Sequence, residues 1–194
     1  MSSSAAVRAH FAKIAVRRLR ALPDGKGLEI RERLPDGLGK RVLRLSSDDW
    51  MPVGDMIALC DAITAVLGEQ GARVLWTELI RDTYDSGLLR PLMTEVRAST
   101  LDADAAATQL LRLAPQAWAL ASEGCGSIEL DDRDGGVRLT SGDLLPALIR
   151  SRGIHCLFYG ACQSMLDQFR VRAEIVVAPA PDDPGTIVFA IRWH

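Results

Sequence analysis

Four side chains in the stretch RGIHCLFYGACQSM are of types that could do chemistry: His155, Cys156, Tyr159 and Cys162. A thiolate beside an imidazole is the arrangement of a Cys/His nucleophile. On a helix, positions 155, 159 and 162 share a face, so imidazole, phenol and thiol would converge on one pocket. Adjacent positions point about 100° apart, however, which places His155 and Cys156 poorly for exchanging a proton. Free cysteine is also among the most buried residue types. The expectation is therefore pocket lining, with no catalytic residue and no metal ligand. Gly160 admits a close neighbour, either another backbone or a ligand. Trp118, like Trp50, Trp76 and Trp193, has the area of a core anchor. The ligand-pocket candidates are Trp118, His155, Tyr159, Gly160 and Cys162. The competing reading is an enzyme that uses Cys156 or Cys162 with His155.

These residues must be held by the elements around them. A helix is expected over 155–169, followed by strands over 170–178 and 186–194. Before it, GSIELDDRDGGVRLTS reads as a hairpin turning at Asp134-Gly135-Gly136, and SGDLLPALIR as a short helix capped from Ser141. Upstream, apolar residues recur at helical spacing over 53–67, ending at Gly68, and again over 72–84, 88–97, 102–113 and 115–122. Residues 5–22 form an amphipathic helix. LEIRERL and RVLRL alternate apolar and charged residues about a turn, which predicts a two-strand edge hairpin. The fold class is α+β, a helical N-terminal half packed on a C-terminal antiparallel sheet of about four strands in the order β-β-α-α-β-β. The whole of 1–194 is expected to be a single domain: a basic helix plus hairpin over 1–44, a helical part over 45–123 and an antiparallel α+β part over 124–194.

Composition narrows the class of function. Hydrophobic residues make up 48% and charged residues 25%, the balance of a globular chain. No run of eighteen apolar residues is present, so no membrane partner is expected, and the cytoplasm is the expected location. The four cysteines, Cys60, Cys125, Cys156 and Cys162, form no CxxC pair, which argues against zinc and disulfides. Asp131 to Gly136 lacks the alternating oxygens and closing Glu of a calcium loop. Residues 1–44 carry eleven Lys/Arg against four Asp/Glu, while the rest carry twelve against twenty-one. The basic head is expected either to dock on the acidic body, its own or that of a second copy, or simply to be solvated. A scaffold or nucleic-acid adaptor working through this head is a further alternative, but no aromatic interleaving or DNA-reading motif supports nucleic acid as a partner.

Trp50-Met51-Pro52-Val53 leading into a helix that ends Val66-Leu67-Gly68, the step Leu113-Ala114-Pro115-Gln116-Ala117-Trp118, the start His155-Cys156 with Gly160, and the closing Phe189-Ala190-Ile191-Arg192-Trp193 together form a pattern. It resembles a group of bacterial sensory domains: the 4-vinyl-reductase-like domains, the haem–nitric-oxide-binding-like domains, and an uncharacterised myxobacterial family of about two hundred residues. The resemblance covers most of residues 45–194. It implies a non-enzymatic signalling or interaction domain, a small apolar ligand and a homodimer. Two departures remove cofactors from the expectation. Glu174 to Ile191 contains no cysteine, whereas the 4-vinyl-reductase-like domains cluster cysteines there. Tyr84-Asp85-Ser86-Gly87-Leu88 matches the haem-binding Tyr-x-Ser-x-Arg signature except at Leu88, with Arg90 two residues late. A propionate clamp needs that guanidinium fork.

Overall fold

The computed structural model describes residues 5–84, 90–97, 102–133 and 136–193. Strand β1 (Ala6–Arg8) leads into α1 (Ala9–Arg18) and a 3-10 turn over Leu19–Ala21. Helices α2 (Lys26–Arg33) and α3 (Leu38–Arg44) follow, then β2 (Trp50–Pro52) and the long α4 (Val53–Arg81). Next come α5 (Arg90–Arg97), α6 (Ala103–Arg112), α7 (Ala114–Ala121) and β3 (Ser122–Glu123). The chain closes with β4 (Ser127–Arg133), β5 (Gly136–Gly142), α8 (Pro146–Arg150), α9 (Arg152–Gln168), β6 (Ala173–Ala180) and β7 (Asp183–Trp193). This is the α+β arrangement expected, with helices in front and an antiparallel four-stranded sheet ordered β4-β5-β7-β6 behind.

Alternation builds the large sheet. Leu139 pairs with Phe189, which pairs with Val177; Val137 pairs with Ile191, which pairs with Ile175. These rows face the core, whereas Arg138 and Glu174 face out. The closing strand β7 lies between β5 and β6, so the tail of the chain is central to the sheet. Pro115 starts α7 rather than breaking a longer helix, because proline is tolerated in a first turn. Gly68 interrupts α4 with φ 70° and ψ 169°, a conformation open to glycine almost alone. The helical path breaks there and resumes beyond it, so the two helices expected on either side of Gly68 are present as the two arms of α4, set at a kink.

Three expectations are corrected. Residues 28–45 form no hairpin but the helices α2 and α3. Their buried residues, Ile30, Leu34, Leu38 and Val42, recur every four positions, while Leu28 is 60% exposed. Helical spacing therefore outweighs the local alternation, and a Glu29–Arg33 ion pair at 3.0 Å follows the same spacing. Ser141 does not cap a helix; it is buried in β5 and donates to the Ser127 carbonyl at 3.1 Å. Trp50 is no core anchor, being 37% exposed with the Arg8 guanidinium 3.8 Å over its ring. The turn expected at 134–135 lies outside the described residues. A second sheet, ordered β2-β1-β3, was not anticipated; it ties residues 6–8 to 50–52 and 122–123. The basic head does dock on the body. Lys13 donates to the Leu45 carbonyl, and Arg18–Glu78 and Arg41–Asp55 each pair at 3.4 Å. These exposed pairs orient the head more than they stabilise it.

Candidate functional site

The site is organised by α9. Its first turn is capped by Ser151, whose hydroxyl oxygen accepts from the Ile154 amide at 3.0 Å. Ser151 in turn donates to the Asp61 carboxylate on α4 at 2.7 Å, and Gly153 N–H donates to the same oxygen at 3.0 Å. A carboxylate held at the positive end of α9 fixes the helix against α4. Below this joint α9 and α4 touch backbone to backbone. A Cβ on Gly153 would meet the Cys60 carbonyl carbon at 2.3 Å, and one on Gly160 would meet the Trp76 Cβ at 2.6 Å. Only glycine fits at these two positions, which lie seven residues apart on the same face.

The rest of α9 divides into two faces. One presents Ile154, Leu157, Phe158, Ala161, Cys162 and Met165 to a cavity of about 130 Å³. Opposite walls come from Val53, Met56 and Ile80 of α4, from Ala114, Ala117, Trp118 and Ala121 of α7, and from Ile128, Leu139 and Phe189 of the sheet. Val7, Arg8 and Phe11 close the end nearest the N-terminus. Trp118, Phe158 and Phe189 form an edge-to-face chain with centroids 5.4 and 5.2 Å apart. The Trp118 indole N–H is satisfied by the Gly126 carbonyl at 3.0 Å, so the ring offers the cavity no free donor. Arg8 is the one charged residue of the lining among the described residues. It is held by the Asp48 and Leu120 carbonyls and by the Trp50 ring.

The other face of α9 is polar. The Arg73 guanidinium sits 4.7 Å over the Tyr159 ring and pairs with Glu69 at 3.7 Å. Tyr159 donates to Gln163 at 3.4 Å, and Gln163 donates to Asp167 at 2.7 Å. Cys156 points its Sγ at the Glu69 carbonyl, 3.7 Å away. The buried Nε2 of His155 has no hydrogen-bond partner, and burial lowers the imidazole pKa below its ordinary 6.5. Burial pushes the Cys162 thiol up to about 12 and raises Cys60, Cys125 and Cys156 as well. All four cysteines are buried and free. None has the depressed pKa of an activated thiolate, and His155 is a hydrogen-bond partner of neither Cys156 nor Cys162.

Of the five residues singled out in the sequence, Trp118 and Cys162 thus meet at the cavity. His155 and Tyr159 lie on the polar face, and Gly160 is packed against Trp76. Sequence reasoning favoured side chains with chemistry. It passed over the apolar stripe at 154, 157, 158, 161 and 165, whose three- and four-residue spacing was the available signal. Tyr84, the first residue of the near-match to the propionate signature, is buried and hydrogen-bonded to Ser164 Oγ at 2.6 Å. Residues 85–88 of that match lie outside the described residues. Among the described residues no cluster of three or more His, Cys, Asp or Glu could hold a metal ion, and no helix is long and apolar enough to cross a membrane.

The fold this site is built on is that of the H-NOX, or haem–nitric-oxide-binding, domains. The chain is similar to the Fe(II) unliganded H-NOX protein of K. algicida in its A71G form, with a TM-score of 0.60 at 11% identity over 96% of each chain. It is also similar to an oxygen-binding H-NOX domain related to soluble guanylate cyclases, with a TM-score of 0.55 at 11% identity over 95% of this chain and 93% of that one. A third likeness, to a Cs H-NOX mutant carrying 4-cyano-L-phenylalanine, has a TM-score of 0.57 at 11% identity. No family model and no curated protein matches the sequence.

Proposed function

We propose that this protein is a non-enzymatic sensory domain whose ligand is a small, neutral, apolar molecule held in the cavity between α9, α7 and the sheet. The observation that carries this reading is the cavity itself: about 130 Å³, walled by aliphatic and aromatic side chains. Apolar cavities of about this size, roughly 150 Å³, take up benzene or xenon rather than water. The likeness in fold to an oxygen-binding domain supports a sensing role, as does the high pKa of Cys162, which leaves a neutral thiol in the wall.

Haem, the group described for neighbours of this fold, does not fit the residues present. The volume is well below the roughly 300–1,000 Å³ of sites for larger ligands. Neither His155 nor His10 lines the cavity. The sulfur that could serve as a thiolate ligand, on Cys162, is kept protonated by burial. Arg8, the lining cation, is already engaged.

The test is a thermal melt of the whole chain with and without benzene, repeated on Ala161→Leu. The wild type is expected to melt higher with benzene. Ala161→Leu should melt as high or higher unliganded, and benzene should leave it unmoved. No shift in the wild type, or one that survives the substitution, sinks the assignment. A homodimer belongs to the same proposal. It is supported by β6, an edge strand whose single charged residue is Glu174 and whose Val176 is 48% exposed. Sedimentation of the wild type and of Val176→Lys decides it, a monomeric wild type being fatal. The closer kinship with the 4-vinyl-reductase-like and myxobacterial proteins is likewise proposed, on the support of a final strand ending at Trp193.

A further inference from the structure

A second concavity lies on the far side of α9 from the cavity. It is an open groove of about 490 Å³ between the C-terminal ends of α4 and α9, lined by Arg81, Gln163, Asp167, Arg170, Val171 and Arg172. Three arginines therefore border one groove. Among the described residues none of the three is in an ion pair. The single carboxylate of the lining, Asp167, accepts from the Gln163 amide at 2.7 Å, which leaves the groove with an excess of positive charge.

Arg170 adds a second observation. It occupies the position just past the end of α9 with φ 58°, in the left-handed region. Its N–H donates to the Asp167 carbonyl at 3.3 Å, and the Val171 N–H donates to Leu166 at 3.2 Å. This closing loop is ordinarily completed by glycine, because a side chain there is strained. An arginine at that position works against local stability, so helix termination alone does not explain it. Arginines at the negative ends of helices do gain from the dipole. That accounts for their sign, but not for three of them bordering one groove or for the strained residue among them.

We propose that this groove binds a small soluble polyanion of phosphate type, gripped by the forked N–H donors of Arg81, Arg170 and Arg172. Planar guanidiniums match phosphate oxygens in pairs, and the volume leaves room for more than one phosphoryl group. The proposal is independent of what the cavity holds.

Calorimetric titration of the full chain with pyrophosphate at low ionic strength tests it. Saturable one-to-one binding is expected. Arg81→Gln and Arg172→Gln should each weaken it about tenfold, in line with the loss of a charge-assisted hydrogen bond. Arg20→Gln, an exposed arginine at the other end of the chain, should leave it unchanged. Arg170→Gly is the decisive variant: it relieves the backbone, so its melting temperature should hold or rise while pyrophosphate affinity falls. Absence of saturable binding overturns the proposal. So does affinity undiminished in the groove variants, or an equal loss in Arg20→Gln.

Discussion

His155 shows how position on one helix decides what a reactive side chain does. Its Nε2 is buried without a partner and its pKa is lowered by burial. The unfolded chain, with an ordinary His pKa near 6.5, then binds protons that the folded protein resists. Stability from this source is complete above about pH 6.5 and is lost as the pH falls below it. His10 is lowered for the same reason and adds to the effect. Melting temperature is expected to fall between pH 7.5 and 5.5, and His155→Gln should flatten part of that slope; a melt insensitive to pH over this range contradicts the assignment. The thiols make a parallel case. Because burial raises all four, alkylation of the native protein at pH 7.5 should be slow at every cysteine. Mass mapping that found one thiol reacting far faster than the others would instead favour the Cys/His enzyme. The residue types at 155, 156, 159 and 162 were plain in the sequence. Their separation between an apolar and a polar face was not, because 162 sits at the boundary where a small rotation of the helix decides which neighbour it meets.

Among the elements, the pairing of α4 with α9 positions everything else. Gly153 and Gly160 permit it, and adding a methyl group at either pushes on backbone or on a fully buried tryptophan. Gly153→Ala and Gly160→Ala should each cost about 1–3 kcal/mol in chemical denaturation, the usual range for overpacking. Gly54→Ala is the internal contrast, since nothing lies within 4 Å of its added Cβ. That substitution should be neutral or stabilise by up to about 1 kcal/mol. Equal losses at all three positions would show that helix crossing is not what the glycines serve. The helical stretches from Val53 to Ala121 were readable because burial of one face imposes a local 3.6-residue period. The 28–45 segment was misread for an equally local reason. Leu28, Ile30 and Leu34 satisfy an alternation over a few residues, and only the packing of Ile30, Leu34, Leu38 and Val42 against the body selects the helix.

At the scale of the whole molecule, the N-terminal segment is both the middle strand of the small sheet and part of the cavity wall. Deleting residues 1–8 should remove β1, unpair β2 and β3, and open the cavity beside Phe11. A loss of about 3 kcal/mol would lower the melting temperature by roughly 6–12 °C for a chain of this size. An unchanged melt would mean that the segment is dispensable to the fold. From the sequence alone one could determine the α+β class, the order of the helices and of the large-sheet strands after Trp50, and the closing of the chain on paired strands. Those follow from hydrophobic periods repeated within a dozen residues. Tertiary structure alone decided that residues 6–8, 50–52 and 122–123 join into a sheet, that α9 turns its apolar stripe inward, and that three arginines border one groove. Each of those depends on which distant surfaces exclude water from one another, and no local spacing records that.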